Sequence, residues 1–152
     1  MAITALEART QILDDLGAAL DQLALAVACL GEAHELLDDL TAERLEAELF
    51  RPVQKAYGRG KRTRARFAQR FGVIARELDS PSPGRSSQGV KSFIERAVAA
   101  SSEADTRIAE LQDSMLPIES GDRELRAGLT EIRDLLGGLP VAARQFLRVL
   151  GR

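Results

Sequence analysis

The sequence predicts an all-α protein, an antiparallel up-down-up-down four-helix bundle. Four separate segments place apolar residues at alternating steps of three and four, which is the spacing of one helix face. Apolar residues make up 45% of the 152 residues and aromatic ones only 4%, so the core should be aliphatic. The scarcity of β-branched runs argues against a sheet. A chain of this length fits one domain, and we expect residues 1–152 to share one core.

The first two helices are predicted over residues 3–38 and 42–78. A leucine seam begins at Leu6 and keeps its phase to the end of the first segment. The phase is lost beyond Asp38, so the chain should turn there. The second segment regains a regular apolar spacing, and Pro52 inside it should produce a kink, because proline lacks an N–H and clashes with the preceding turn.

The other two helices are predicted over residues 87–115 and 121–150. The last one should bend at Gly137–Pro140, although its apolar phase survives that interruption. A stretch rich in serine and proline over residues 79–86 is the one clear loop. This loop divides the single domain into two helical hairpins, residues 1–78 and 87–152.

Charge is strongly segregated along the chain, although the net charge is only −2. Residues 1–48 hold eleven acidic and two basic side chains, whereas residues 49–76 hold nine basic and no acidic ones. At 100° per residue, six of these cations fall on one stripe of the second helix. We call this stripe the basic ridge; it consists of Arg51, Lys55, Arg59, Arg62, Arg66 and Arg70.

The basic ridge has two interpretations. A row of six cations attracts phosphates through counterion release, which predicts binding of a nucleic acid or another polyanion. Alternatively, acids within the fold neutralise it, and the first helix carries a matching acidic stripe: Glu7, Asp14, Asp21, Glu32, Glu35 and Asp39. Heptad geometry places the two stripes on opposite shoulders of their seams, so they should not face each other directly.

The first helix carries no charge between Gln22 and Gly31, and this segment is apolar around its whole circumference. We call residues 22–31 the girdle. A helix that is apolar on all sides needs cover on all sides. Four-helix packing covers only the seam and its shoulders, so Leu25, Ala28 and Cys29 should need another partner, which makes them candidates for self-association.

The only histidine, His34, lies one predicted turn before Asp38, and the two are the best candidates for a metal site. A zinc-protease helix needs a second histidine at that spacing, and a di-iron bundle needs Glu-x-x-His on two helices, so we expect no metal. The apolar, acid-flanked surroundings of Cys29 favour a structural cysteine over a nucleophile. No phosphate-binding glycine loop or nucleophile elbow is present, so we expect no cofactor and no enzyme activity.

The sequence therefore predicts a non-enzymatic structural or protein–protein interaction module, a self-associating helical bundle. Its expected partner is a second copy or another protein, with no small-molecule substrate. The alternative is nucleic-acid or other polyanion binding through residues 51–70. One cysteine, no signal-like N-terminal segment and no apolar run of about 20 residues predict a cytoplasmic protein without a membrane span.

Overall fold

The computed structural model describes residues 3–151, and all of their regular structure is helical, as predicted. No β-strand occurs within this range. Two irregular turns accompany the helices: a π turn at Glu46–Phe50 and a 3-10 turn at Ser86–Gln88. The helices are α1 (Ala5–Glu35), α2 (Asp39–Leu45), α3 (Arg51–Phe71), α4 (Val90–Asp113), α5 (Leu116–Glu119), α6 (Arg123–Leu136) and α7 (Leu139–Leu150).

Side-chain caps fix the ends of α1 and the start of α2. At the beginning of α1 the Glu7 N–H donates to Thr4 Oγ1 (3.1 Å), and the Thr4 N–H donates to Glu7 Oε2 (3.0 Å). This reciprocal capping box satisfies two N–H groups that the helix itself leaves unpaired. At the other end, α1 stops at Glu35 and not at residue 38, because Asp38 accepts from the Thr41 N–H (2.9 Å) and caps α2.

The predicted second helix, residues 42–78, is wrong at both ends. Helix α2 begins earlier, at Asp39, and the interruption predicted near Pro52 takes the form of the π turn that directly precedes α3. Helix α3 ends at Phe71 because Gly72 adopts a left-handed conformation (φ 64°), and the Val73 N–H then donates back to the Ala68 carbonyl (3.0 Å). This glycine-dependent stop overrides the apolar spacing that continues beyond it.

The second half of the chain contains shorter helices than predicted. Helix α4 covers Val90–Asp113 where residues 87–115 were expected. The predicted helix over residues 121–150 is divided into α6 and α7 at Gly137 and Gly138, within the segment expected to bend. Asp122 caps α6 by accepting from the N–H groups of Glu124 (3.1 Å) and Leu125 (3.4 Å).

Contacts between helices give their directions. The guanidinium of Arg9 in α1 lies over Phe71 at the end of α3, whereas Gly60, earlier in α3, approaches Leu20. Helices α1 and α3 are therefore antiparallel. In α4, Glu110 lies beside Asp15, in the first half of α1. Arg96, near the start of α4, lies close enough to Cys29, in the second half of α1, for its charge to act on the thiol. Helices α1 and α4 are therefore antiparallel as well, so α3 and α4 run in the same direction.

The predicted up-down-up-down order is consequently wrong, and the observed order is up-down-down-up. Helix α6 runs antiparallel to α3, since Arg70 pairs with Asp122 and Arg59 pairs with Glu131. To start α4 at the far end, residues 72–89 must return along the length of the bundle. We call residues 72–89 the strap. It is longer than the predicted 79–86 loop, and its only regular structure is the 3-10 turn.

The core is aliphatic with three buried phenylalanines, and it draws on every long helix. Among the apolar residues that follow the steps of three and four, Leu20 in α1, Ile132 in α6 and Phe146 in α7 are fully buried, but Leu6 is 62% exposed. Leu6 lies in the first turn of α1, beyond the level at which α3 ends. The apolar periodicity thus predicted the buried face of the helix correctly, but it did not predict at which turn along the helix burial begins.

Two glycines allow close approach of helix axes. A Cβ on Gly60 would clash with Leu20, and a Cβ on Gly128 would clash with Thr63, whose β-branched side chain has little rotamer freedom. Helix α3 therefore meets α1 and α6 at small-against-large contacts, which is how ordinary helical cores pack.

We expect Gly128→Ala to lower the free energy of unfolding by about 1–3 kcal/mol, because overpacking against Thr63 outweighs the gain in helix propensity. Gly58→Ala is the matched control. Open space surrounds Gly58 apart from Arg62 Nη1 at 3.5 Å, so alanine there should stabilise by up to about 1 kcal/mol. Urea unfolding curves followed by circular dichroism measure both effects. Equal stability of the two variants would contradict the close α3–α6 contact.

Candidate interaction surfaces

Half of the basic ridge is paired with acids of α6. Arg59 Nε lies 2.5 Å from Glu131 Oε2, and Arg66 Nη1 lies 3.2 Å from Glu124 Oε1. Arg70 contacts Glu124 at 2.6 Å and also pairs with Asp122. The acids of helix 1 were not expected to face the ridge directly, and the acids that pair with it belong to α6 and its cap.

The other half of the basic ridge faces solvent. Arg51 is 4.0 Å from Glu46, at the limit of an ion pair. Lys55 and Arg62 are exposed and form no ion pair with the described residues. Lys61, which lies outside the ridge, packs over the Tyr57 ring at 4.5 Å. Three of the six predicted residues therefore pair with acids at α6 and the other three do not, although Arg66 is as exposed as Arg51 (56% and 54% of the side chain).

The girdle of α1 is covered largely by its own chain. Cys29 is fully buried, so in this fold its side chain does not lie on the surface that a second copy would meet. Burial also raises the pKa of its thiol, while the nearby charge of Arg96 opposes the shift in part. Leu25 and Ala28 are half-buried, and Leu25 packs against the core cluster.

The strap crosses the outward face of α1 beside the girdle. Asp21, one helical turn before Leu25, accepts from Arg76 Nη2 (2.7 Å) and from the Asp79 N–H (2.9 Å). Further along, the Pro83 carbonyl accepts from Arg96 of α4. Val73, Ala75 and Leu78 of the strap pack against the core, while Leu25 and Ala28 of the girdle stay half-buried.

A buried arginine that the sequence reading did not single out joins α3 to α1 and to the strap. Arg64 is only 6% exposed; its Nε donates to the Leu13 carbonyl (3.1 Å) and its Nη1 to the Arg76 carbonyl (3.0 Å). The guanidinium lies over Gly17, where a Cβ would be 3.0 Å from Nη2. Burial first, and the charge of Arg76 second, lower the pKa of Arg64. In the sequence, Arg64 differs from the cations of the basic ridge because it falls on another face of the helix, and this difference could have indicated its separate role.

His34 and Asp38, the two residues considered for a metal site, belong to different helices. Asp38 caps α2, and hydrogen bonds from Thr41 lower the pKa of its carboxyl. His34 remains on the last turn of α1, with its ring 6.4 Å from that of Phe50. Within residues 3–151 no group of three or more His, Cys, Asp or Glu side chains converges in a way that suits a metal ion.

Exposed apolar side chains concentrate at the two ends of the bundle. One end holds the start of α1, the α4–α5 turn and the start of the strap. Its exposed apolar residues are Ile3, Leu6, Ile74, Met115 and Ile118. The other end holds the α1–α2 corner and the last turns of α7. Its exposed apolar residues are Leu36, Leu40, Val149 and Leu150. Among the described residues, Val141 is the remaining large apolar side chain with comparable exposure, and it lies on a flank.

Helix α1 also meets the length and composition of a membrane span. Its most apolar 18-residue window has a mean hydropathy of 1.4, and half of that window is buried inside the fold. Core helices commonly pass the same test, so the observation is weak evidence for a span. In this structure α1 packs against α3 and α4.

No protein-family model, curated protein or solved structure matches this chain. The candidate surfaces therefore rest on the geometry of this chain alone.

We expect Asp21→Asn to loosen the strap, because the neutral amide loses its charged hydrogen bond to Arg76. Under native conditions, cleavage by trypsin after Arg76 and Arg85 should accelerate roughly threefold to tenfold. The expected factor is modest because the Asp21–Arg76 ion pair is partly exposed to solvent. Glu35→Gln is the matched control: this exposed acid is the last residue of α1 and forms no ion pair with the described residues. Unchanged cleavage in the Asp21 variant would contradict the anchoring role.

Proposed function

We propose that this protein is a non-enzymatic helical interaction module that self-associates through the ends of its bundle. The supporting observation is the distribution of exposed apolar side chains, which fall at the two ends. Leu40 is 75% exposed and Ile74 is 97% exposed, so each leaves a large apolar side chain in contact with water. A second copy that covers these side chains removes their apolar surface from water.

The proposal moves the contact away from the girdle of α1. The flanks of the bundle are covered by the strap and by ion pairs between helices, such as Arg133 with Asp105 at 3.1 Å. Exposed ion pairs contribute only about 0–1 kcal/mol each, but they leave little apolar area for a partner. Apolar area drives association most strongly, so the ends are the better contact.

The ends allow two kinds of assembly with different symmetry. If one end meets the same end of another copy, the contact is isologous and closes as a dimer. If one end meets the opposite end, the contact is heterologous and continues into longer assemblies. Leu6 marks one end and Leu40 the other, so substitutions at these positions separate the two cases.

For wild-type protein we expect a particle mass of at least two chains by light scattering on a size-exclusion column. In a heterologous assembly, Leu6→Glu and Leu40→Glu each give monomers, since a buried unpaired charge is costly. An equimolar mixture of the two variants then forms dimers, because each retains the end that the other lacks. In an isologous dimer only one of the two variants dissociates, and mixing restores nothing.

Val141→Glu is the matched control, because this valine is 49% exposed on α7 but lies on the flank. It should leave the particle mass unchanged. A wild-type protein that stays monomeric at high concentration would contradict self-association, and a control variant that dissociates like the others would contradict the assignment to the ends.

The second candidate function is polyanion binding through the free half of the basic ridge. Three cations face solvent on the outer side of α3, namely Arg51, Lys55 and Arg62, and their exposure supports this second candidate function. Three cations that each release counterions predict modest affinity with a salt slope of roughly −2 to −3 for duplex DNA. The paired residues Arg59, Arg66 and Arg70 contribute less, because α6 acids already hold them.

Reversal of Lys55 and Arg62 to glutamate should abolish retention on heparin at low salt if the ridge binds polyanions. Reversal of Lys91, an exposed cation of α4 that pairs with Glu95, is the control and should preserve retention. A wild-type protein without retention at low salt would exclude this candidate.

A further inference from the structure

A crevice where α4, α5 and α6 meet differs in chemistry from the other surface cavities. Its volume is about 180 Å³, and it is lined by Gln112, Pro117, Ile118, Arg126, Leu129 and Thr130. Four other cavities of the described residues each include at least one acidic side chain. This crevice includes none, and its only charge is the guanidinium of Arg126.

Arg126 has no acidic partner within residues 3–151, and its Nε is buried without a hydrogen bond. The carboxylate one turn earlier, Asp122, is already engaged by Arg70 and by the N–H groups of the α6 cap. The two terminal nitrogens of Arg126 are not buried and form no hydrogen bond with the described residues. They are therefore the donors that an anion in the crevice can reach.

The other polar groups of the crevice are suited to the same anion. Gln112 Oε1 accepts from Arg133 Nη1 (3.0 Å), and since arginine only donates, the orientation of the Gln112 amide is fixed. Its Nε2 amide group is therefore left as a donor. Thr130, one turn after Arg126 on α6, adds a hydroxyl that can donate as well. The remaining wall, formed by Pro117, Ile118 and Leu129, is apolar.

We propose that this crevice binds a small monocarboxylate with an apolar tail. The carboxylate lies on the two terminal nitrogens of Arg126, which offer parallel N–H groups to a planar anion, and the tail packs chiefly on Ile118, which is 50% exposed. At about 180 Å³ the crevice is smaller than the clefts that hold drug-sized ligands, so it suits only a small molecule. One cation beside an apolar wall suits a singly charged carboxylate better than a phosphate, whose higher charge needs further cations. The inference does not depend on self-association.

The test uses the full chain and sodium hexanoate, titrated at constant ionic strength by isothermal calorimetry. We expect saturable one-site binding with a Kd of about 1 mM or below. Hexanamide, which has the same tail without the charge, should bind at least about tenfold more weakly, and so should acetate, which lacks the tail.

Arg126→Met should weaken hexanoate binding at least about tenfold, because the charged hydrogen bonds are lost. Arg123→Met is the matched control: this exposed arginine lies three residues earlier on α6, does not line the crevice, and should leave the Kd unchanged. If Arg126→Met does not fold, the Arg126 Nε–H resonance of the wild-type protein should still shift on addition of hexanoate. An absence of saturable binding, equal binding of hexanamide, or equal loss in both variants would overturn the proposal.

Discussion

The structure depends on one constraint, which is that the girdle of α1 must be covered on every side. A helix without charge over ten residues cannot leave any face in water without an energetic cost. Helix α3 covers one side of α1 and α4 covers another, and both meet it with the opposite chain direction. The strap then crosses the third side and is held there by Asp21. Part of the cover that the girdle needs is therefore supplied within one chain, and Leu25, Val27 and Ala28 stay half-buried.

This arrangement explains the order of the helices. A short loop after α3 would start α4 at the near end and leave the outward face of α1 without a cover. The strap instead travels the length of the bundle, so α4 begins at the far end and runs parallel to α3. Arg64 stabilises this route because it donates from α3 to a carbonyl of α1 and to a carbonyl of the strap. The space that its guanidinium needs is created by Gly17, where any side chain would collide with it.

The same arrangement decides which charges meet. The acids of α1 and the cations of α3 both form stripes in the sequence, and simple charge balance would pair them. Helix α6 lies against the shoulder of α3 that carries Arg59, Arg66 and Arg70, so its own acids pair with them. Asp122 serves both as the cap of α6 and as a partner of Arg70, and Arg126 is left without an acid. Because Asp122 pairs with Arg70 at the α3–α6 contact, Arg126 has no acidic partner and is the one charged residue that lines the crevice.

The sequence by itself determined the local features of this protein. The all-helical class, the leucine seam with Leu20, Ile132 and Phe146 buried, and the bend near Gly137 all follow from short-range spacing and backbone chemistry. Only the tertiary structure decided the helix order, the neutral half of the basic ridge, the burial of Cys29 and the exposure of Leu6. Periodicity reports which face of a helix is buried, but not which helix lies against it or at what height. Those facts depend on the path of the strap. Few backbone hydrogen bonds order the strap, so its sequence has almost no periodic pattern from which that path could be predicted.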